Sequence, residues 1–114
     1  MLFNSKVNIW LYQKAVDMRK SIDGLSIVVA SGMKKNPTNE EELFLFCNKG
    51  ADKLKILYWD KNGFCLWYKR LEKGRFNIPK DFEVISYEQL RWLLDGFDIT
   101  KLKGNPQLSY NKFY

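Results

Sequence analysis

The segment from Leu54 to Pro79 constrains this chain more than any other. Leu54 to Trp59 (LKILYW) and Phe64 to Leu71 (FCLWYKRL) are aliphatic and aromatic runs separated by Asp60-Lys61-Asn62-Gly63. Asn-Gly tolerates positive φ at both centres of a tight connection, so this block predicts a β-hairpin. With Asn62-Gly63 as the loop, Trp59 faces Leu66, Leu57 faces Tyr68 and Lys55 faces Arg70. The other face then carries Tyr58 with Trp67, Ile56 with Lys69 and Leu54 with Leu71. Like charges directly opposite one another destabilise a sheet unless an anion lies between them. A phosphate would serve for Lys55 and Arg70, and so would a carboxylate from elsewhere in the fold.

The flanking sequence extends the sheet. Val7 to Tyr12 (VNIWLY) reads as a first strand and Glu42 to Cys47 (ELFLFC) as a second, followed by a turn over Asn48 to Lys53. Between them, Met18, Ile22, Leu25 and Val29 recur at helical spacing, which predicts a helix from about Met18 to Met33 with Asp17 as its cap. Gly24 weakens that helix by about 1 kcal/mol relative to Ala, and close approach of a strand would account for it. After the turn Glu72-Lys73-Gly74, Arg75 to Ile78 reads as a short strand ended by Pro79. Ser86 and Gln89 have the spacing of a capping box, Leu90, Leu93 and Leu94 form an apolar stripe, and Gly96 suits a C-cap. The outline is β-α-β-β-β-β-α: an α+β fold, a small antiparallel meander of four to five strands with two helices packed on one face. Residues 1–100 are expected to form a single domain, and 101–114 a polar C-terminal tail disordered on its own.

Charge narrows the function. The chain of 114 residues carries a formal net charge of +6, which suits an anionic partner such as nucleic acid or a membrane surface. Aromatic residues are 16% of the chain, enough to leave some for a surface. Basic residues neutralise phosphates and exposed aromatics stack on bases. Arg19, Lys20, Lys53, Lys55, Lys69, Arg70 and Arg75 are therefore the candidate phosphate contacts, with Arg19 and Lys20 at the expected helix start. Trp67 and Tyr68 are candidates for stacking, and a place in the core is equally open to them.

Catalysis finds little support. With no histidine the commonest general base and metal ligand is missing, and no P-loop, GxGxxG or HExxH is present. Asp17, Asp23, Asp52, Asp60 and Asp98 could gather around a magnesium ion in a nuclease-like site. Asp17 reads better as a cap, however, and Asp60 as a turn residue. Cys47 and Cys65 form neither a zinc pattern nor a disulfide framework, and are expected to be reduced thiols. No catalytic residue, metal site or cofactor is expected. No signal peptide and no apolar run of roughly 18 residues is read, so the expectation is a cytoplasmic protein without a membrane partner, nucleoid-associated if it binds DNA.

Longer motifs carry a resemblance. Asp17 to Leu25 (DMRKSIDGL) matches a DMRKxxDGL signature. Asp52 to Asp60, Gly63-Phe64, Lys69 to Phe76 and Pro79 follow in the same order, and Leu93 to Asp98 is similar to an LLxGID ending. These residues resemble the TnpB, or second-open-reading-frame, accessory proteins of insertion sequence family sixty-six, distinct from the RNA-guided nucleases that share the TnpB name. The resemblance covers about Val7 to Asp98. It departs at Lys49-Gly50-Ala51, where the family often has arginines, and at Ile78, where it commonly has Trp. It implies a non-catalytic role in transposition beside a separately encoded transposase and another accessory protein. Two readings follow. One is DNA binding, at the ends of the insertion sequence, through the basic–aromatic hairpin. The other is a protein-interaction module that docks on the co-encoded transposase, using the same aromatics as anchors. The oligomeric state is left open.

Overall fold

The computed structural model describes residues 6–102. The strands are β1 (Asn8–Leu11), β2 (Glu42–Cys47), β3 (Lys53–Asp60), β4 (Gly63–Arg70) and β5 (Val84–Ser86). Helix α1 (Ile22–Ile27) continues as a π-helical turn over Val28–Gly32, and helix α2 spans Tyr87–Leu94. The strands form one sheet in the order β4-β3-β2-β1-β5. This is the expected α+β class, with a mostly antiparallel sheet and two helices. The pair β1–β2 is parallel, because α1 lies between them as a crossover and a tight turn cannot join parallel strands. Of the expected tail, Lys101 and Leu102 belong to a short 3₁₀ turn (Ile99–Leu102), and the rest lies outside the described residues.

The helices cover opposite faces of the sheet, not one face as the outline suggested. Phe44 and Phe46 pack with Leu25, Val29 and Leu57 under α1. Leu43, Leu45 and Cys47 pack with Leu90, Leu93 and Ile9 under α2. Strand β2 is buried along both faces from Leu43 to Cys47, so it needs a helix on each side. Its continuous apolar run, without polar alternation, is the pattern of a doubly covered strand.

The hairpin forms in a different register. Asp60 pairs with Gly63 and Trp59 with Phe64, so the loop residues are Lys61 and Asn62. Lys55 therefore lies opposite Tyr68, and the cation facing Arg70 is Lys53, which corrects the Lys55–Arg70 pair. The positive φ falls on Lys61 (53°) and Gly63 starts the strand. Tertiary contacts hold that turn: the Lys61 N–H donates to Glu40 Oε1 at 2.8 Å, and the Trp59 indole donates to the Lys61 carbonyl at 3.1 Å. A slip of two residues keeps every side chain on its expected face, whereas a slip of one would have exchanged the faces.

Two other boundaries move. Helix α1 starts after Ser21, not after Asp17, because the carbonyls of Met18 and Lys20 are taken by Lys55. Asp17 instead closes a separate turn by accepting the Arg19 N–H at 2.8 Å. Gly24 lies against the aliphatic stem of Lys20 and not against a strand. The segment expected as a strand at Arg75 to Ile78 is an irregular strap. The Phe76 N–H donates to the Ala51 carbonyl at 2.7 Å, and the Phe76 side chain is buried. The fifth strand is β5, antiparallel to β1 and too short for its alternation to be read from sequence. Helix α2 matches its sequence cues. Ser86 and Gln89 form both halves of the capping box, and Gly96 (φ 94°) ends the helix with its N–H on the Leu93 carbonyl.

Candidate functional site

Cations outnumber carboxylates at one end of the strands. One end of the sheet is where β2 stops, β3 begins and β4 stops. The chain after β1 returns to this end through the Val16 N–H on the Cys47 carbonyl (3.0 Å), and the strap through Phe76 on Ala51. These contacts bring Lys14, Arg19, Lys20, Lys49, Lys53 and Lys55 together with Arg70, Lys73 and Arg75. The carboxylates among them are Asp17, Asp52 and Glu72. The opposite end, around the β3–β4 turn, carries Glu40, Glu41, Glu42 and Asp60 with Lys6, Lys61 and Lys35, whose ammonium lies 3.5 Å from the centre of the Trp10 ring that bonds Glu42. The two ends are roughly 25 Å apart, since eight strand residues rise about 3.3 Å each.

Within the basic end each group has a different standing. Lys55 Nζ donates to the carbonyls of Met18 and Lys20, both at 2.8 Å, and lies 5.4 Å from the centre of the Tyr68 ring. It thus pins the Asp17–Lys20 turn onto the sheet and keeps Arg19 and Lys20 beside Lys53 and Arg70. The exposed Arg19 guanidinium contacts Asp17 at 2.6 Å, and Arg70 contacts Glu72 at 2.8 Å. The hydrogen bond from Arg19 lowers the Asp17 carboxyl from 3.8 to about 2. Both pairs are solvated, so they are weak and can be exchanged for a phosphate at little cost. Lys20, Lys53 and Arg75 form no ion pair among the described residues. Tyr68 is 48% exposed beside Lys55.

Two candidates lie on the other face of the sheet. Lys69 Nζ donates to the Leu94 carbonyl at 3.0 Å, where it satisfies the C-terminus of α2. Trp67 packs against the core under α2. Sequence reasoning did not single out Lys14, Lys49 or Lys80. These rim a groove of about 280 Å³ next to the basic end, with Tyr12 and Phe76 in its wall. Apart from the arginines that the family often has around Lys49, their signal was overall charge, because the loops that bring them together are distant in sequence.

The aspartates do not converge. Asp17 and Asp52 each close a local turn, the latter through Asn48 Nδ2 at 2.7 Å. Asp60 lies at the far end of β3, and Asp98 accepts from Thr100. Among the described residues no group of three potential ligands could hold a metal ion, and no helix is long and apolar enough to cross a membrane. Cys47 is buried and Cys65 half-buried, both as free thiols. Burial pushes the Cys47 thiol up to about 11.

Similar proteins carry no described activity. An uncharacterized protein of Sinorhizobium fredii, y4jC, is 34% identical over 103 residues, covering 88% of this chain and 87% of its own length. Another from the same organism, y4hO, is 36% identical over 95 residues, covering 81% and 82%. No solved structure matches the chain. Residues 7–104, which hold the DMRK turn pinned by Lys55, the hairpin and the capped helix α2, match the model of the IS66 Orf2-like proteins, and the chain belongs to that family.

Proposed function

We propose that this protein is a non-catalytic accessory factor of transposition that contacts DNA with the basic end of its sheet. Family membership suggests the accessory role. The observation that carries the DNA contact is the excess of cations at the sheet end where Tyr68 is exposed: Lys20, Lys53, Arg70 and Arg75, with Arg19, against the carboxylates Asp17, Asp52 and Glu72. Lys20, Lys53 and Arg75 supply phosphate contacts. Arg19 and Arg70 exchange their carboxylates for phosphate, and Tyr68 offers a stacking face. Lys55 and Lys69 act mainly by holding the Asp17–Lys20 turn and the end of α2 in place.

Titration of duplex DNA from the ends of the insertion sequence at several salt concentrations tests this reading. Each phosphate contact contributes a log–log slope of about −0.9 on duplex DNA. The double variant Lys53→Gln/Arg75→Gln should flatten the slope by about 1.8 and leave the fold intact. Affinity indifferent to salt, or a slope unchanged in the double variant, would sink the proposal. A second reading, docking on the co-encoded transposase, draws on Tyr68 and Arg70 lying on one face at the sheet edge, residue types that dominate protein interfaces. Under that reading, Tyr68→Ala loses the transposase in a pull-down while DNA affinity and its salt slope stay as in the wild type.

A further inference from the structure

Among the described residues nothing covers strand β4, an edge of the sheet. It spans Gly63–Arg70, contains no proline, and pairs with β3 without a bulge. Its central residues, Phe64 to Tyr68, carry no charge. Natural edges are normally blunted by brevity, charge, proline or bulges. The other edge, β5, meets that rule with three residues.

The direction of its free groups follows from one bond. The Leu71 N–H donates to the Asp52 carbonyl at 2.8 Å, one step beyond the paired residues Lys53 and Arg70. Bonded and non-bonded pairs alternate along an antiparallel ladder, so the odd-numbered residues of β4 bond to β3. Phe64, Leu66, Tyr68 and Arg70 therefore aim their N–H and C=O groups outward. Among the described residues no hydrogen bond reaches them.

The geometry points to a second copy of this chain as the occupant, with its β4 antiparallel to the first about a two-fold axis at Trp67. The outward set is symmetric about Trp67, so in that register every outward N–H and C=O finds a mate. Arg70 meets Phe64 of the second copy and Tyr68 meets its Leu66, while Trp67 faces its counterpart on the α2 side. Charge favours the same arrangement. The antiparallel approach lays the basic end, Lys53 and Arg70, beside the second copy's turn, where Asp60 and Glu40 accompany Lys61. A parallel approach would set like ends together. This inference does not depend on the DNA reading.

Sedimentation of the full chain and of two variants tests it. The wild type should sediment at twice 13.6 kDa. Tyr68→Pro removes an outward N–H that the β3–β4 ladder does not use. It should sediment as the monomer with a wild-type circular dichroism spectrum. In a Cys65→Ser/Trp67→Cys variant the two copies of position 67 form a non-bonded pair with Cα atoms about 4.5 Å apart, within disulfide reach. That variant should cross-link to a dimer under mild oxidation. A monomeric wild type, as when another strand covers this edge, overturns the proposal, and so does a dimer that survives Tyr68→Pro. If Tyr68→Pro fails to fold, the cross-link decides, and its absence overturns the proposal.

Discussion

Lys55→Met separates the structural role of this lysine from any role in binding. Methionine keeps most of the aliphatic stem against the sheet and removes the ammonium. Two bonds are lost, to the Met18 and Lys20 carbonyls at 2.8 Å each. A hydrogen bond from a charged donor contributes about 1.5–3 kcal/mol. The Lys20 bond is exposed and water can replace it, whereas the Met18 bond is partly buried and its carbonyl is left with poorer hydration. The expected loss is therefore about 2–3 kcal/mol, mostly from the Met18 side, and a fall in Tm of roughly 10 °C for a domain of this size. Urea unfolding followed by tryptophan fluorescence measures it, with Lys53→Met as the control expected to stay within about 0.5 kcal/mol of wild type. A Lys55→Met loss no larger than that of the control would refute the pinning role. It would also return Lys55 to the set of groups available to a ligand.

Two further perturbations test local features. Gly24→Ala should stabilise the protein by about 0.5–1 kcal/mol in the same urea assay, because the new Cβ meets only the flexible Lys20 stem at 3.4 Å inside a helix; destabilisation would mean that the helix cannot accept a side chain there. Arg19→Gln should return the Asp17 carboxyl from about 2 toward its ordinary 3.8, as followed by NMR titration. Since the folded value lies below the unfolded one, the contact contributes stability above about pH 4 and loses it as pH falls through about 2. An Asp17 value unmoved by the substitution would show that the Arg19 guanidinium is not the cause and leave the Arg19 N–H as the group that lowers it.

Much of the architecture could be read from residue order because it rests on local chemistry. The capping box at Ser86, the stripe at Leu90, Leu93 and Leu94, the terminating Gly96 and the hairpin all follow from groups within a few residues of each other. The family could be read the same way, from ordered blocks of sequence. Where local rules met long-range contacts, the contacts won. Asn62-Gly63 has the better turn chemistry, yet Glu40 and Trp59 hold the bend one residue earlier, at Lys61. Asp17 has cap chemistry, yet Lys55, far along the chain, takes the carbonyls that the helix would have used.

The basic segment from Leu54 to Pro79 shows the same division. Sequence by itself determined that this block is a cationic, aromatic hairpin, since charge and strand propensity belong to the residues. Only the tertiary structure decided that most of its cations join those of other segments at one end of the sheet, because loops distant in sequence complete that cluster. It also set Lys55 and Lys69 to fixing a turn and a helix end, and left β4 as an open edge. The physical reason is common to all three: hydrogen bonds and sheet order are settled by which partners packing brings within reach, and one-dimensional spacing does not carry that information.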